Sequence, residues 1–131
     1  MVFVQHQCVV PSSSQQALSE VLKRVQRSGV PCPLAVLKQF GSGNNNLLSF
    51  PIAGYTLALD FPSGPKTMAL LAELDAIVNA AAGRIYLTKD ACMSPATFRA
   101  GYPRWEQFQA VRERFGAQGK FGSGMATRLN L

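Results

Sequence analysis

Apolar and polar residues alternate along three stretches of this chain with a period of two, which is typical of β-strands. The stretches cover residues 2–10, 34–40 and 55–61, and a shorter one follows at 84–87. The first stretch is already alternating at Val2, so we expect a chain that opens inside a strand, as a fragment of a larger protein does.

Two segments between these stretches repeat apolar residues at helical spacing. The first carries a single stripe at positions i, i+3, i+4 and i+7, namely Leu18, Val21, Leu22 and Val25. Ser13 and Gln16 have the spacing of a capping box, and Gly29 is a natural end. A second stripe covers residues 70–81 and ends at Gly83. Both segments are therefore predicted to be amphipathic helices.

Further helices are predicted in the last third of the chain. Ser94 and Pro95 form an N-cap and first-turn pair for a short helix that ends near Gly101. A longer helix is predicted over 104–115, and a last helical turn closes the chain.

The predicted order is β-α-β-β-α-β, the ferredoxin-like pattern of an α+β fold. Two helices then cover one face of a four-stranded antiparallel sheet. We assign residues 1–93 to this unit, and residues 94–131 to a C-terminal helical segment that packs on it.

The other face of the predicted sheet carries an unusual mixture of residues. Because side chains alternate across a strand, polar and apolar residues of three strands share this face, namely Gln5, Gln7, Lys38 and Thr56 with Phe3, Val36 and Phe40. Amides and an ammonium group on a partly apolar surface suit a polar ligand that must be oriented, or a docking domain. A plain solvated face is the alternative. Lys89 follows the fourth strand, where it can reach into a cleft, although Asp90 beside it can equally form a surface ion pair.

Composition narrows the class of protein. The chain has 131 residues, 47% of them hydrophobic, which fits one folded domain. Three widely spaced cysteines (Cys8, Cys32 and Cys92) and the single histidine His6 offer no metal site, so we expect reduced, structural thiols and no bound metal. Reduced thiols predict a cytoplasmic protein, and the absence of a long apolar run predicts no membrane-spanning segment to anchor it.

The net charge of +6 is concentrated towards the C-terminus, where six basic residues face two acidic ones from Ser94 onward. Such charge is often a solvated helix face, and the alternative is attraction to phosphate groups. A ferredoxin-like RNA-binding or regulatory, protein-docking module without catalysis is therefore a second functional hypothesis. The Lys/Arg-Gly-aromatic signature of the RNA readers is absent, so no nucleic-acid partner is expected.

Several segments resemble, in order and spacing, the C-terminal half of FAD-linked oxidases of the vanillyl-alcohol oxidase superfamily. They are FVQHQCVVP, LAVLKQFGSGN, LSFPIAGYTLALDFP, GRIYLTKD and YPRWEQFQAVRERFGAQGKF. The resemblance implies an N-terminal FAD-binding domain as partner and a sugar or polyol substrate whose secondary alcohol is oxidised. It also implies that residues 94–131 return towards the FAD domain. The Gly-rich FAD-binding loops have no counterpart here, so we expect the chain alone to bind no FAD and to be inactive.

The resemblance also implies roles for individual residues. Gln5 and Gln7 correspond to a glutamine pair that faces substrate and flavin, and Lys38 and Phe40 to a lysine and an aromatic residue lining the pocket. Lys89 corresponds to a lysine at the flavin edge, where it stabilises developing negative charge and is the candidate catalytic residue. Relatives commonly have tyrosine at the place of His6, so His6 is not expected to attach the flavin.

The chain departs from the mycobacterial members of the superfamily at two positions. Thr56, a candidate substrate-binding residue, stands in place of an asparagine, and Ala58 in place of a cysteine. The identity of the sugar is therefore left open. If the sheet face normally meets another domain, the chain alone is expected to form homodimers. A lipid-linked substrate would bring the protein into peripheral contact with the inner membrane.

Overall fold

A computed structural model describes residues 2–131. Four strands and five α-helices are placed in this part of the chain, in the order β1 (Phe3–Pro11), α1 (Gln16–Ser28), β2 (Leu34–Phe40), β3 (Gly54–Pro62), α2 (Pro65–Ala80), β4 (Arg84–Ile85), α3 (Pro95–Gly101), α4 (Trp105–Arg114) and α5 (Gly124–Leu129). Short 3-10 turns cover Ser12–Ser14 and Leu87–Lys89.

The strands form one antiparallel sheet in the order β2-β3-β1-β4. The α+β class and the predicted β-α-β-β-α-β order are confirmed. Among the described residues β2 pairs only with β3, so it lies at an edge of the sheet.

The pairing register confirms the two faces deduced from alternation. Gln5 lies opposite Asp60, Gln7 opposite Ala58, and Lys38 opposite Thr56. Residues directly opposite each other across two strands share a face, so these side chains all belong to the face away from α1 and α2.

The hydrophobic core lies between the other face and the helices. Its fully buried members include Cys8, Leu59, Phe61, Val21 and Leu74. Burying such side chains stabilises the fold by roughly 1.5–3 kcal/mol each. The helices therefore cover one face of the sheet, and the face that carries Gln5, Gln7 and Lys38 lies opposite them.

The predicted capping box at Ser13 and Gln16 is wrong. The three serines form a 3-10 turn that is hydrogen-bonded to the end of the loop between β2 and β3, where the Ser12 backbone N–H donates to the Ala53 carbonyl at 3.3 Å. Helix α1 consequently begins at Gln16, after Gln15, without a side-chain cap. Its predicted end is confirmed, since Gly29 takes the left-handed conformation with φ 64°.

The fourth strand is shorter than the predicted 84–87. Only Arg84 and Ile85 pair with β1, and the Tyr86 N–H then donates to the Gln7 carbonyl at 2.8 Å. After Tyr86 the chain closes into the 3-10 turn that contains Lys89. Lys89 therefore lies on a tight turn rather than on a free strand end.

The C-terminal helices begin at the β4 side of the molecule. Helix α3 contacts α2 and β4, and the buried Tyr102 hydroxyl donates to the Ile85 carbonyl at 2.7 Å. The predicted Ser94 cap is confirmed, because its Oγ accepts the Thr97 backbone N–H at 3.1 Å. Within residues 2–131, no helix combines the length and the apolarity required to cross a bilayer.

Burial raises the pKa of the Cys8 thiol to about 12. It also raises the pKa values of Cys32 and Cys92, which suits structural rather than reactive thiols. A raised folded-state pKa stabilises the fold below the unfolded pKa of about 9, and this contribution is lost as the pH rises towards 12.

We therefore expect the free energy of unfolding to fall by about 1.4 kcal/mol per pH unit above about pH 9 through Cys8 alone. Urea unfolding across this range measures the slope, and Cys8→Ala should flatten it. Burial also raises the pKa of Tyr102, so Tyr102→Phe should flatten the remaining slope at higher pH. An unchanged slope in Cys8→Ala would contradict the expectation.

Candidate functional site

A groove of about 130 Å³ lies on the face of the sheet opposite α1 and α2. Three strands and the Lys89 turn contribute its lining residues, which are Gln5, Gln7, Leu34, Val36, Lys38, Thr56, Ala58, Asp60 and Lys89. Five of the six candidate site residues predicted from the sequence therefore line one groove. Pockets that enclose a whole ligand usually exceed about 300 Å³. This groove is therefore too small to enclose a ligand and can form only one side of a pocket.

The Gln7 amide is held in one orientation by a partly buried chain of two hydrogen bonds. The Thr56 hydroxyl donates to the Cys8 carbonyl at 2.8 Å, so its oxygen is left as an acceptor towards Gln7. The Gln7 Nε2 fills that role at 3.0 Å. Gln7 consequently presents its Oε1 as an acceptor for a ligand, while Thr56 is almost fully buried behind it.

Two lysines from different elements line the groove. Lys38 projects from the edge strand β2, and Lys89 from the turn after β4. Neither forms an ion pair with a carboxylate within the described part of the chain, although Asp60 lines the same groove. The groove thus offers hydrogen-bond donors with positive charge beside the fixed Gln7 acceptor.

The turn that carries Lys89 is tied on both sides. Before it, the Tyr86 N–H donates a hydrogen bond to the Gln7 carbonyl of β1, and the Lys89 N–H donates to the Tyr86 carbonyl at 3.0 Å. After it, the Asp90 carboxylate accepts the Cys92 and Met93 N–H groups at 2.9 and 2.7 Å and pairs with Arg128. The Asp90 side chain is therefore a buried structural carboxylate. It does not form the surface ion pair with Lys89 that the sequence left open as an alternative.

Aromatic rings form a cluster on the same face. Phe40 meets Phe50 edge to face, with ring centroids 5.8 Å apart, and Phe50 stacks on Tyr86 at 4.5 Å. Phe40 does not line the groove, so the structure does not place it beside the amides and lysines that do. Phe50 and Tyr86 were not predicted from the sequence; alternation along β4 could have indicated Tyr86, whereas Phe50 lies in a loop without a pattern.

His6 lies on the opposite face of the sheet, in the core. Its Nε2 is 2.9 Å from the Asp75 carboxylate of α2, and its buried Nδ1 has no partner within residues 2–131. A void of about 10 Å³ adjoins this pair. Among the same residues, no group of three His, Cys, Asp or Glu side chains could hold a metal.

Comparison with known proteins gives a consistent result. Residues 56–129 match the D-arabinono-1,4-lactone oxidase family. Over 98% of its length the chain is 39% identical to the decaprenylphosphoryl-beta-D-ribose oxidase of Mycolicibacterium smegmatis. It is 35% identical, again over 98% of its length, to an uncharacterised protein of Streptomyces coelicolor, and 26% identical over 86% to the L-gulono-1,4-lactone dehydrogenase of Mycobacterium tuberculosis.

The chain spans only 28%, 35% and 27% of the lengths of these three relatives. The family match itself covers more than half of the chain, from β3 to the end of α5. The chain belongs to the D-arabinono-1,4-lactone oxidase family of FAD-linked oxidases.

Proposed function

We propose that this chain forms the substrate-side wall of a FAD-dependent oxidoreductase that oxidises a secondary alcohol of a sugar or polyol to a ketone. The observation that carries the proposal is the convergence of Gln5, Gln7, Lys38 and Lys89 in one groove on the open face of the sheet. Two relatives are named for sugar-derived compounds, a ribose derivative and a gulonolactone, which agrees with polar groups that match hydroxyls.

The donor set of the groove fits both a sugar and a flavin. A sugar hydroxyl can donate to Gln7 Oε1 while its oxygen accepts from an ammonium group, and Gln5 adds a second amide. The flavin carries carbonyl oxygens at its pyrimidine edge, which accept from cationic donors. FAD, when bound, supplies the hydride acceptor, and the protein supplies orientation and charge.

We assign separate tasks to the residues of the groove. Gln5, Gln7 and Lys38 bind and orient the substrate, and Thr56 acts by holding Gln7. Lys89 stabilises negative charge at the flavin edge, with Gln7 as a second contact to the cofactor. Phe40 supports the pocket through Phe50 rather than by contact with the groove.

The partner that completes the pocket is, in this proposal, the FAD-binding domain of the same protein. The chain spans 28% and 35% of the lengths of two relatives, so about two-thirds or more of each relative lies outside the matched region. Helix α4 and the segment after it expose Val111, Phe115 and Phe121 beside Arg112, Arg114 and Lys120. Exposed apolar residues rimmed by charge are typical of a docking surface, and residues 94–131 would then face the FAD domain.

Flavin binding and substrate oxidation together test this function. The 131-residue chain is expected to show no stoichiometric binding when FAD is titrated and followed by flavin fluorescence, because one wall of a pocket is too small a surface. A natural polypeptide that contains these residues with the length of the relatives should purify with FAD, and sugars or polyols should bleach its flavin absorbance under anaerobic conditions. Tight binding by the short chain, or no bleaching by any sugar or polyol, would contradict the proposal.

A further inference from the structure

The last helix of the chain is joined to the Lys89 turn by one arginine. Arg128 of α5 places Nη2 2.6 Å from Asp90 Oδ2, and its Nη1 donates to the Met93 carbonyl. The Asp90 side chain is 3% exposed and that of Arg128 30%, so this pair is largely shielded from water. It connects positions 38 residues apart along the chain.

The contacts of Asp90 leave the turn little freedom. Its Oδ1 accepts two consecutive backbone N–H groups, those of Cys92 and Met93, while Oδ2 is taken by Arg128. The backbone on the other side is tied to β1 through Tyr86, and Asp90 N–H closes the turn on the Leu87 carbonyl at 3.3 Å. Lys89 is thus the residue between two anchored ends, with its side chain in the groove.

We propose that Arg128 and Asp90 are positioning residues for the Lys89 ammonium group, so that the C-terminal helix sets where this charge stands in the groove. The expected effect of this placement on the flavin rests on the proposed function. The placement of the turn itself can be tested without a flavin.

The chemistry of the guanidinium group suits this task. Its planar fork donates in fixed directions to a carboxylate and a carbonyl at once, which a lysine ammonium group cannot reproduce. Charge-assisted hydrogen bonds of this kind are among the stronger ones in proteins. Catalysis by a placed charge is sensitive to displacements of about 1 Å, so a loosened turn would weaken the effect of Lys89 although its side chain is intact.

Amide hydrogen exchange in this chain tests the restraint. Arg128→Gln should speed exchange at the Cys92 and Met93 amides by about tenfold or more, through local opening, while amides in β1 and α1 stay protected. Arg104→Gln is the matched control, because Arg104 also reaches a distant backbone carbonyl, that of Asn45 at 2.6 Å, but in the 41–46 loop. Unchanged exchange at Cys92 and Met93 in Arg128→Gln would overturn the inference. Should that variant unfold as a whole, Arg128→Lys, which keeps the charge but loses the fork, provides the same comparison.

The midpoint potential of the flavin in the full-length enzyme tests the consequence. Lys89→Gln should lower this potential, Arg128→Gln should lower it by a smaller amount in the same direction, and the double variant should equal Lys89→Gln. Additive shifts would show that Arg128 acts through its own charge and would overturn the positioning role. A Lys89→Gln enzyme with an unchanged potential would instead refute the role of Lys89 in the proposed function, whatever the exchange experiment shows.

Discussion

Lys89→Gln in the proposed full-length flavoenzyme is expected to lower kcat/KM by about 100- to 1000-fold, the range found when one charge-stabilising donor is removed from an active site. The physical reason is that Lys89 brings positive charge into a groove in which the described residues offer it no ion-pair partner. The neutral amide of glutamine, on a side chain one bond shorter, cannot replace that charge. Most of the loss should appear in kcat, because the remaining groove residues still bind substrate.

Stopped-flow measurement of flavin bleaching, with FAD content checked for every variant, separates this effect from loss of cofactor. Lys66→Gln is a matched control, since Lys66 is an exposed lysine of α2 and lies outside the groove lining. The proposed role of Lys89 is refuted by a variant that holds FAD fully and turns over within a few-fold of the parent enzyme.

Asp75→Leu is expected to destabilise the fold by about 3 kcal/mol or more, since it removes one partner of a buried pair. His6 already has an unpartnered Nδ1 among residues 2–131, and the substitution would leave Nε2 without its acceptor as well. Because domains of this size are stable by roughly 5–15 kcal/mol, such a loss is a large part of the total.

Urea unfolding of the isolated chain measures this loss, and the double variant His6→Phe/Asp75→Leu tests its cause. Replacing both polar partners by apolar residues should recover most of the stability. Glu73→Leu is the control on the same helix, because its ion pair with Arg24 is exposed and its removal should barely move the midpoint. If Asp75→Leu behaves like Glu73→Leu, the pair does not stabilise the core.

Some parts of the site could be predicted because they depend on local periodicity. Alternation along a strand decides which residues share a face, so Gln5, Gln7, Lys38 and Thr56 could be grouped from their positions in the sequence. The helix ends at Gly29 and Ser94 were predictable for a similar reason, since caps depend on neighbouring residues. Lys89 needed the family resemblance, because one lysine after a short strand has no distinctive spacing.

Other parts could not be predicted, because they depend on contacts between residues far apart in sequence. The capping box predicted at Ser13 does not form. The serines instead form a turn in which the Ser12 N–H donates to the Ala53 carbonyl, a contact that no local sequence pattern indicates. Thr56 was predicted to bind substrate, and the structure adds a hydrogen bond from the Gln7 amide to its hydroxyl, a contact between β1 and β3 that alternation along one strand does not reveal.

The α+β order of elements and the mixed polar face of the sheet follow from the amino-acid sequence alone, because both depend on which residues repeat every two or every three to four positions. The conversion of that face into a groove depends instead on three-dimensional packing. Strand register sets Lys38 beside Thr56, and Arg128 reaches back 38 residues to hold the turn of Lys89. These pairings depend on the packing of the whole domain. Residue types alone do not determine them, because each lysine, threonine or arginine has several possible partners in the same sequence.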